Sequence, residues 1–306
     1  KLSRSSLATF VFAILISIHT FEGNIANAEN FMLLATITGF YLYSKAKKHW
    51  QFLVTGILFS LSTLFKVPAV FDFAALLVLI FLNYTLNAKR YTLLLAGFFL
   101  PILITFVYYA SQNALSQYLS LAFFQNLPYL SSWSGSTPKA AGLPLPLLGR
   151  AALVFLVCLV AFIWRKKLSK IAQLVLIWFS FSLFGALLSA RPYPHYLLQA
   201  IPALALSVTL LVKPGKKKVI PVLLMLVFYF SFNFFHFWHY QNISYYQNFY
   251  QFALGQKNKD QYFNYFGGQA QALYQTAAYL RLYTNPEEKI FVWSNQPSIY
   301  PLAQRL

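Results

Sequence analysis

Long apolar runs separated by short polar segments make up most of the chain. Nine of these runs reach, or nearly reach, the length of about 20 residues that an α-helix needs to cross a bilayer. The pattern therefore predicts about nine transmembrane helices. They cover residues 5–21, 29–44, 51–65, 68–87, 91–110, 148–164, 171–189, 196–212 and 219–237.

Lysine and arginine concentrate in every second connection between these runs, which therefore hold most of the 24 basic residues. The other connections carry only Lys66, Lys139, Arg150 and Arg191 before residue 240. By the positive-inside rule, we expect the basic connections to be cytoplasmic and the C-terminal segment to be extracytoplasmic. Topology then explains the net charge of +18, and nucleic-acid binding is not indicated.

Composition supports a membrane protein, because 58% of the residues are hydrophobic and only 10% are charged. We expect an all-α polytopic protein that is integral to the cytoplasmic membrane, with a transmembrane domain over residues 1–239. A long outer loop at 111–147 is predicted to contain a short interfacial helix near 115–124 and to form a lid or an acceptor-side wall. The single cysteine, Cys158, rules out an intramolecular disulfide.

From residue 240 onward the composition changes to glutamine, asparagine and tyrosine. Apolar spacing predicts a helix over 268–283, and the run at 289–293 predicts a buried strand. Residues 240–306 therefore form, by prediction, the start of a small extracytoplasmic α/β domain. Since the chain begins with Lys1 rather than methionine, we expect a fragment.

The first two apolar runs are separated by a polar loop that carries Glu22 and Glu29, two of only six acidic residues. A carboxylate at the mouth of a membrane helix loses hydration and persists where a cation, a metal ion or a proton-transfer task compensates. We therefore predict that this loop is one wall of an active site. The alternative is a polar loop with two solvated acids.

Two further polar sites lie at the ends of apolar runs. The turn Arg191-Pro-Tyr-Pro-His195-Tyr196 offers a guanidinium fork for phosphate, with additional donors from histidine and tyrosine. Lys66 ends the third run, where it either contributes to the site or only extends to the interface. Asp72, in the fourth run, is expected to pair with Lys66 or another basic group for structural reasons rather than to act in catalysis.

Several motifs together resemble the bacterial branch of the polyprenyl-phosphate-sugar-dependent glycosyltransferases of the GT-C superfamily, which includes protein O-mannosyltransferases and aminoarabinose transferases of lipid A. The resemblance extends over essentially the whole chain. The motifs that carry it are residues 23–32, 56–68 ending in Lys-Val-Pro, 191–202, 288–293 and 299–303.

The resemblance implies an inverting membrane glycosyltransferase that acts at the outer face. Its donor is a polyprenyl-phosphate-linked sugar, its acceptor is a protein, lipid or glycan, and it contacts membrane lipids. An aspartate in the family's first outer loop is the general base, and that loop is expected to precede Lys1. Glu29 matches the acid that orients the acceptor or a metal ion, and Glu22 lies in the same loop. No cofactor is fixed by these residues, and a divalent metal ion at Glu29 stays open.

Physical reasoning adds the groups that would bind the donor phosphate. Cations at this surface would stabilise the charge that develops on the leaving oxygen, with Arg191 first and Lys66, His195 and Tyr196 behind it.

Two other functions compete with this prediction. One is a polymerase or ligase that moves a lipid-linked glycan, and the other is a transporter or flippase. A transporter concentrates polar groups and broken helices near the middle of the membrane. Here the candidate residues cluster at the ends of the apolar runs, which favours surface chemistry.

Overall fold

A computed structural model describes residues 4–83, 87–127, 146–212, 218–294 and 296–306. Within these residues the regular structure is entirely helical. The α-helices are α1 (Arg4–Ser17), α2 (Ala28–Lys45), α3 (His49–Phe65), α4 (Val70–Asn83), α5 (Ala88–Ser111), α6 (Leu115–Ala122), α7 (Leu147–Ile163), α8 (Lys170–Ala186), α9 (Ile201–Ser207), α10 (Val219–Phe234), α11 (Asn242–Ala253), α12 (Lys259–Asn264), α13 (Gly268–Tyr283) and α14 (Ile299–Ala303). Short 3₁₀ helices lie at His19–Phe21, Val67–Ala69, Phe124–Asn126, Pro194–Ala200 and Val208–Leu210.

The chain divides into two compact units, Lys1–Tyr240 and Gln241–Leu306. The division falls where the composition changes from apolar to glutamine-, asparagine- and tyrosine-rich. All of the predicted site residues belong to the first unit.

In the first unit, α3 packs between α2 and α5. Gly56 and Gly97 allow the close approach of α3 and α5, because a Cβ atom at either position would collide with a carbonyl oxygen of the other helix. Helix α8 is the most deeply buried of the other long helices: Val175, Ile177 and Phe179 are at most 1% exposed. It packs against α4, α7 and α9, and both α8 and α2 contact the 3₁₀ helix Pro194–Ala200.

The prediction of an integral membrane protein with nine spans is wrong. Of the described residues, only α5 forms a helix long and apolar enough to cross a membrane. Seven other apolar helices have 10 to 17 residues, and α2 reaches 18 residues but includes Glu29 and Lys45. A cytoplasmic N-terminus and an extracytoplasmic C-terminal domain were inferred from those spans, and they are withdrawn with them.

Some predicted spans are interrupted by polar residues or 3₁₀ segments, whereas α2, α3 and α5 are slightly longer than predicted. The first expected span stops at Ser17, before the 3₁₀ turn of the acidic loop. The eighth, at 196–212, is divided into a 3₁₀ helix, the seven-residue α9 and a second 3₁₀ turn, with Pro202 at the start of α9. At a rise of about 1.5 Å per residue, such pieces are well short of a bilayer core of about 30 Å.

The loop predicted at 111–147 lies partly outside the described residues, which break off between 127 and 146. Its described part contains α6 and the 3₁₀ helix Phe124–Asn126, so the predicted short helix near 115–124 is confirmed. Whether this segment acts as a lid or an acceptor-side wall stays a prediction.

The second unit is helical in its described part and contains no α/β domain. The helix predicted over 268–283 is confirmed with the same bounds as α13, and its Ala277 is 2% exposed. The strand predicted at 289–293 is wrong, because Phe291 and Trp293 are 79% and 90% exposed. The backbone N–H of Ile290 donates to the carbonyl of Leu306 and that of Val292 to the Tyr300 hydroxyl, whereas a strand needs a ladder of bonds between backbones.

Candidate functional site

The acidic loop is fixed by its own polar side chains. Glu22 follows the 3₁₀ turn His19–Phe21 and has a left-handed backbone, with φ of 55°. Asn30 closes the loop, since its side-chain amide donates to the carbonyls of Gly23 at 3.2 Å and Ile25 at 2.6 Å. Glu29 lies in the first turn of α2, where the helix dipole favours a negative charge.

Lys66 brings a positive charge to Glu29. It follows the last residue of α3, and its ammonium group donates to Glu29 Oε1 as a hydrogen-bonded ion pair. The Glu29 side chain is 4% exposed and that of Lys66 is 21% exposed, so this pair is held away from most of the solvent. The Lys66 Nζ atom also lies 3.7 Å from the centroid of the Tyr196 ring, a cation–π distance.

His195 lies between the two carboxylates. Its Nδ1 atom is 2.9 Å from Glu22 Oε2, and its Nε2 atom is 3.9 Å from Glu29 Oε1. Pro194 begins the 3₁₀ helix that carries His195, and its fixed φ favours this start. One imidazole therefore connects two acids that the sequence places in the same loop.

Aromatic rings hold the imidazole in place. The Tyr193 ring stacks on His195 at 5.8 Å between centroids with an interplanar angle of 10°, and Tyr196 meets His195 edge to face at 4.9 Å. Trp238 packs edge to face on Tyr193 at 4.8 Å, and its backbone N–H donates to the carbonyl of Pro192 at 2.9 Å. This packing restricts the orientation of His195.

Arg191 lies on the same segment, four residues before His195. Its backbone N–H donates to Ser189 Oγ at 3.4 Å, and the residue is half-buried. The preceding Ala190 has φ of 51°, so a non-glycine residue is left-handed here as well as at Glu22. Such backbone costs about 1–3 kcal/mol and is frequent at functional sites.

The geometry thus joins five of the six predicted residues, Glu22, Glu29, Lys66, His195 and Tyr196, through direct contacts. It also brings residues predicted for the acceptor and for the donor phosphate into direct contact. Glu29 pairs with Lys66, and Glu22 lies beside His195.

The protein environment shifts the pKa values of three groups in this cluster. Partial burial alone would raise the pKa of Glu22, but interactions with His195, Asn27 and Tyr240 outweigh it and lower that pKa. Burial lowers the pKa of Lys66, an effect that Glu29 opposes. Burial, followed by the charge of Glu22, raises the pKa of Tyr240 to about 12.

Sequence reasoning missed two partners of Glu22. Asn27 donates its side-chain amide to Glu22 Oε2 at 3.2 Å, and its place within the acidic loop was the available signal. Tyr240 reaches the same region from the far end of the first unit, and its ring lies 5.6 Å from that of His19. No local pattern indicates a contact between positions so distant in sequence.

A cavity of about 480 Å³ opens beside this cluster. Lys66 and Tyr196 contribute to its wall, and most of the remaining wall is apolar, with side chains from α3, α5, α6 and α8. Its volume is within the range of about 300–1,000 Å³ that is typical of small-molecule sites. The cavity therefore joins a hydrocarbon-lined space to the ammonium group of Lys66.

Asp72 does not pair with a basic group through its described contacts, contrary to expectation. Its Oδ1 atom accepts from Ser182 Oγ at 2.5 Å and from Trp178 Nε1 at 2.9 Å, and its Oδ2 atom accepts from Gln199 Nε2 at 2.8 Å. The Gln199 amide also donates to the carbonyl of Pro68 at 3.1 Å. Asp72 thus fixes the 3₁₀ helix of His195 against the segment that follows Lys66.

Glu22, Glu29 and His195 are the groups of this cluster with metal-ligand chemistry. Among the described residues, no group of three or more histidine, cysteine, aspartate or glutamate side chains has the geometry to hold a metal ion. Glu29 instead has the Lys66 ammonium as its cation.

Chemically, the cluster offers carboxylates that can orient a hydroxyl group, an imidazole that can exchange a proton, and an ammonium group beside an apolar cavity. The resemblance to lipid-linked glycosyltransferases depends on the sequence motifs alone: no family model, no curated protein and no solved structure matches this chain.

Proposed function

We propose that this protein is a glycosyltransferase that takes its sugar from a polyprenyl-phosphate-linked donor and inverts the anomeric carbon. The observation that carries the proposal is the position of the acid and base cluster beside an apolar cavity of about 480 Å³. A lipid-linked sugar has a hydrocarbon chain, a phosphate and a polar sugar. The cavity matches the chain, the cations match the phosphate, and the carboxylates match the sugar.

On the donor side, the prenyl chain occupies the cavity and the phosphate lies near Lys66. An ammonium group has three N–H donors, so Lys66 can hold Glu29 and still donate to a phosphate oxygen. Arg191 supplies a bidentate fork from the segment that also carries Tyr196. Positive charge at this point stabilises the phosphate as the bond to the sugar breaks.

On the acceptor side, Glu22 and Glu29 orient the attacking hydroxyl. Glu22 holds Nδ1 of His195, which leaves Nε2 facing Glu29. This arrangement lets the imidazole accept a proton from a hydroxyl bound between them, if the imidazole is neutral.

The residues around Glu29 fit an ammonium partner better than a metal ion. A divalent ion at Glu29 would have to displace Lys66, since both bind the carboxylate oxygen. We therefore propose that Lys66 provides the positive charge at this acid. Transfer should then persist in the presence of a chelator.

The test is a transfer assay on the purified protein in detergent, with a radiolabelled short-chain polyprenyl-phosphate sugar and a panel of peptide, lipid and glycan acceptors. We expect Arg191→Ala to abolish transfer and Arg191→Lys to retain a small part of it, because lysine keeps the charge but loses the fork. Lys89→Ala, at an exposed position near the start of α5, is the control and should transfer normally.

The same protein in vesicles separates the competing functions. Movement of the lipid-linked donor across the vesicle without cleavage of its sugar–phosphate bond would support a flippase and overturn the proposal. Transfer of preassembled glycan chains but not of single sugars would support the polymerase or ligase instead.

A further inference from the structure

A second cavity, of about 320 Å³, lies between α7, α8 and α10. None of the residues in its wall belongs to the wall of the cavity beside Lys66. Aliphatic and aromatic side chains line it almost completely, and its polar side chains are Arg150, Ser180 and Ser231. The cavity is therefore a hydrocarbon-lined space with one cationic group.

Arg150 is fixed at the wall of this cavity. The residue is only 4% exposed, and its guanidinium group donates to the backbone carbonyl of Leu187. The guanidinium carbon also lies 5.7 Å from the centroid of the Phe235 ring. Leu187 and Phe235 are themselves wall residues, so the charge is held next to the empty space and not directed away from it.

The mouth of the cavity is also apolar. Leu153, Leu223 and Phe230 contribute to the wall, and they are 54%, 50% and 61% exposed. A hydrocarbon chain can enter between α7 and α10 without passing a polar barrier. A small soluble anion would gain little from such walls, whereas an uncharged lipid would make no use of the guanidinium.

We infer that this cavity binds an anionic lipid, with an acyl chain between α7, α8 and α10 and the carboxylate or phosphate head group on Arg150. Arginine keeps its charge in proteins, and its planar fork matches either head group. A hydrogen bond between ions is stronger in such low-dielectric surroundings than in water. The volume is near the lower end of the range for small-molecule sites and suits one chain.

Dodecyl phosphate is the probe, and its binding to the purified protein in an uncharged detergent is measured by native mass spectrometry and isothermal titration. Dodecanol tests binding of the chain without the anion, and inorganic phosphate tests binding of the anion without the chain. We expect dodecyl phosphate to bind with the highest affinity, dodecanol to bind weakly, and inorganic phosphate neither to bind nor to displace the lipid. Displacement by inorganic phosphate would indicate a plain anion site and overturn the inference.

Variants of Arg150 test whether dodecyl phosphate binds in this cavity. Arg150→Gln should reduce the affinity for dodecyl phosphate about ten- to a hundredfold, the usual effect of losing a charged hydrogen bond. Arg150→Lys should retain part of the affinity. The proposed function also places a lipid phosphate at Lys66, in the other cavity, so these affinities are compared in the Lys66→Met background. The binding that remains in Lys66→Met is the event that Arg150→Gln should weaken, and it is measured without any transfer reaction, so its loss is distinguishable from failure of the proposed function.

A cavity-filling variant covers the case in which Arg150→Gln fails to fold. Val227→Trp leaves Arg150 in place and occupies the space between α7 and α10. In the Lys66→Met background it should abolish binding of dodecyl phosphate while the protein remains folded, as checked by circular dichroism. In that background, unchanged affinity in folded Val227→Trp, or in folded Arg150→Gln, would show that the lipid binds elsewhere.

Discussion

Two buried carboxylates in the first unit have opposite kinds of partner. Glu29 and Asp72 are 3% and 0% exposed, and each lies in the first turn of a helix, α2 or α4. Glu29 pairs with the ammonium of Lys66 and lies 3.9 Å from the imidazole of His195. The described contacts of Asp72 are instead with the neutral donors of Ser182, Trp178 and Gln199.

The difference matches a structural role for Asp72 and the chemical role proposed for Glu29. Neutral donors from two segments contact both oxygens of Asp72 and hold α4, α8 and the Pro194–Ala200 helix together. The partners of Glu29 are ionisable, and Lys66 also borders a cavity. Burial of an acid does not by itself indicate catalysis, so the two acids need separate tests.

The largest expected effect belongs to Glu29→Gln. Glutamine has nearly the same shape but carries no charge, so it can neither orient an acceptor hydroxyl as a carboxylate does nor hold Lys66 in an ion pair. We expect the transfer rate to fall by about 10²-fold or more, the cost of a reacting group that is no longer held in position. Thermal unfolding of the same sample checks that the fold is intact, and a fully active Glu29→Gln protein would remove the acidic loop from the mechanism.

Asp72→Ala should act mainly on stability. The substitution leaves the indole N–H of Trp178 without its acceptor, whereas Ser182 and Gln199 keep the carbonyls of Trp178 and Pro68. We expect the free energy of unfolding in urea to fall by about 1–3 kcal/mol, the cost of one unsatisfied buried donor. Asp72→Asn keeps one acceptor oxygen and should destabilise less.

The contrast between Asp72 and Glu29 would be wrong if Asp72→Ala had the stability of the wild type but lost transfer activity. Asp72 would then belong with Glu29 among the chemical groups. An equal loss of stability in Asp72→Asn would instead show that the negative charge, and not the number of acceptor atoms, holds the network.

Sequence patterns predicted the helical class and the bounds of α13, but not the 3₁₀ segments. Apolar runs indicate a buried or lipid-facing helix equally well, and short 3₁₀ turns near residues 19, 67 and 194 are not visible in them. Those turns interrupt the spans predicted at 5–21, 68–87 and 196–212. The prediction of a strand at 289–293 was wrong for a related reason. A segment with high β-propensity still needs a partner strand to form a ladder of hydrogen bonds.

The residues of the candidate site were easier to predict from the sequence than the fold around them. Acids are rare in this chain, so Glu22 and Glu29 stood out, and two prolines marked the turn that carries His195. The pairing of these groups with one another was not predictable, since it depends on how α2, α3 and the 3₁₀ helix Pro194–Ala200 come together. Their catalytic and phosphate-binding roles stay predictions until transfer is measured.

The prediction with the smallest expected effect concerns Glu22, the second acid of the site, and is tested through the pH dependence of stability. His195 and the other partners of Glu22 lower its pKa in the folded protein, so folding favours the carboxylate. The resulting stability is fully present above the ordinary glutamate pKa of about 4.3 and is lost as the pH falls through the lower folded value. Wild type should therefore unfold at a higher temperature than Glu22→Gln at pH 6, and this difference should shrink below about pH 4.

An exposed acid supplies the control for the pH experiment. Glu287→Gln removes one negative charge outside the first unit, so any change it causes measures the general effect of charge. If the difference between wild type and Glu22→Gln stayed constant from pH 6 to pH 3, the interaction with His195 would not depend on the carboxylate charge. Glu22 would then resemble Asp72 more than Glu29, since its contribution would be that of a hydrogen-bond acceptor in a structural network.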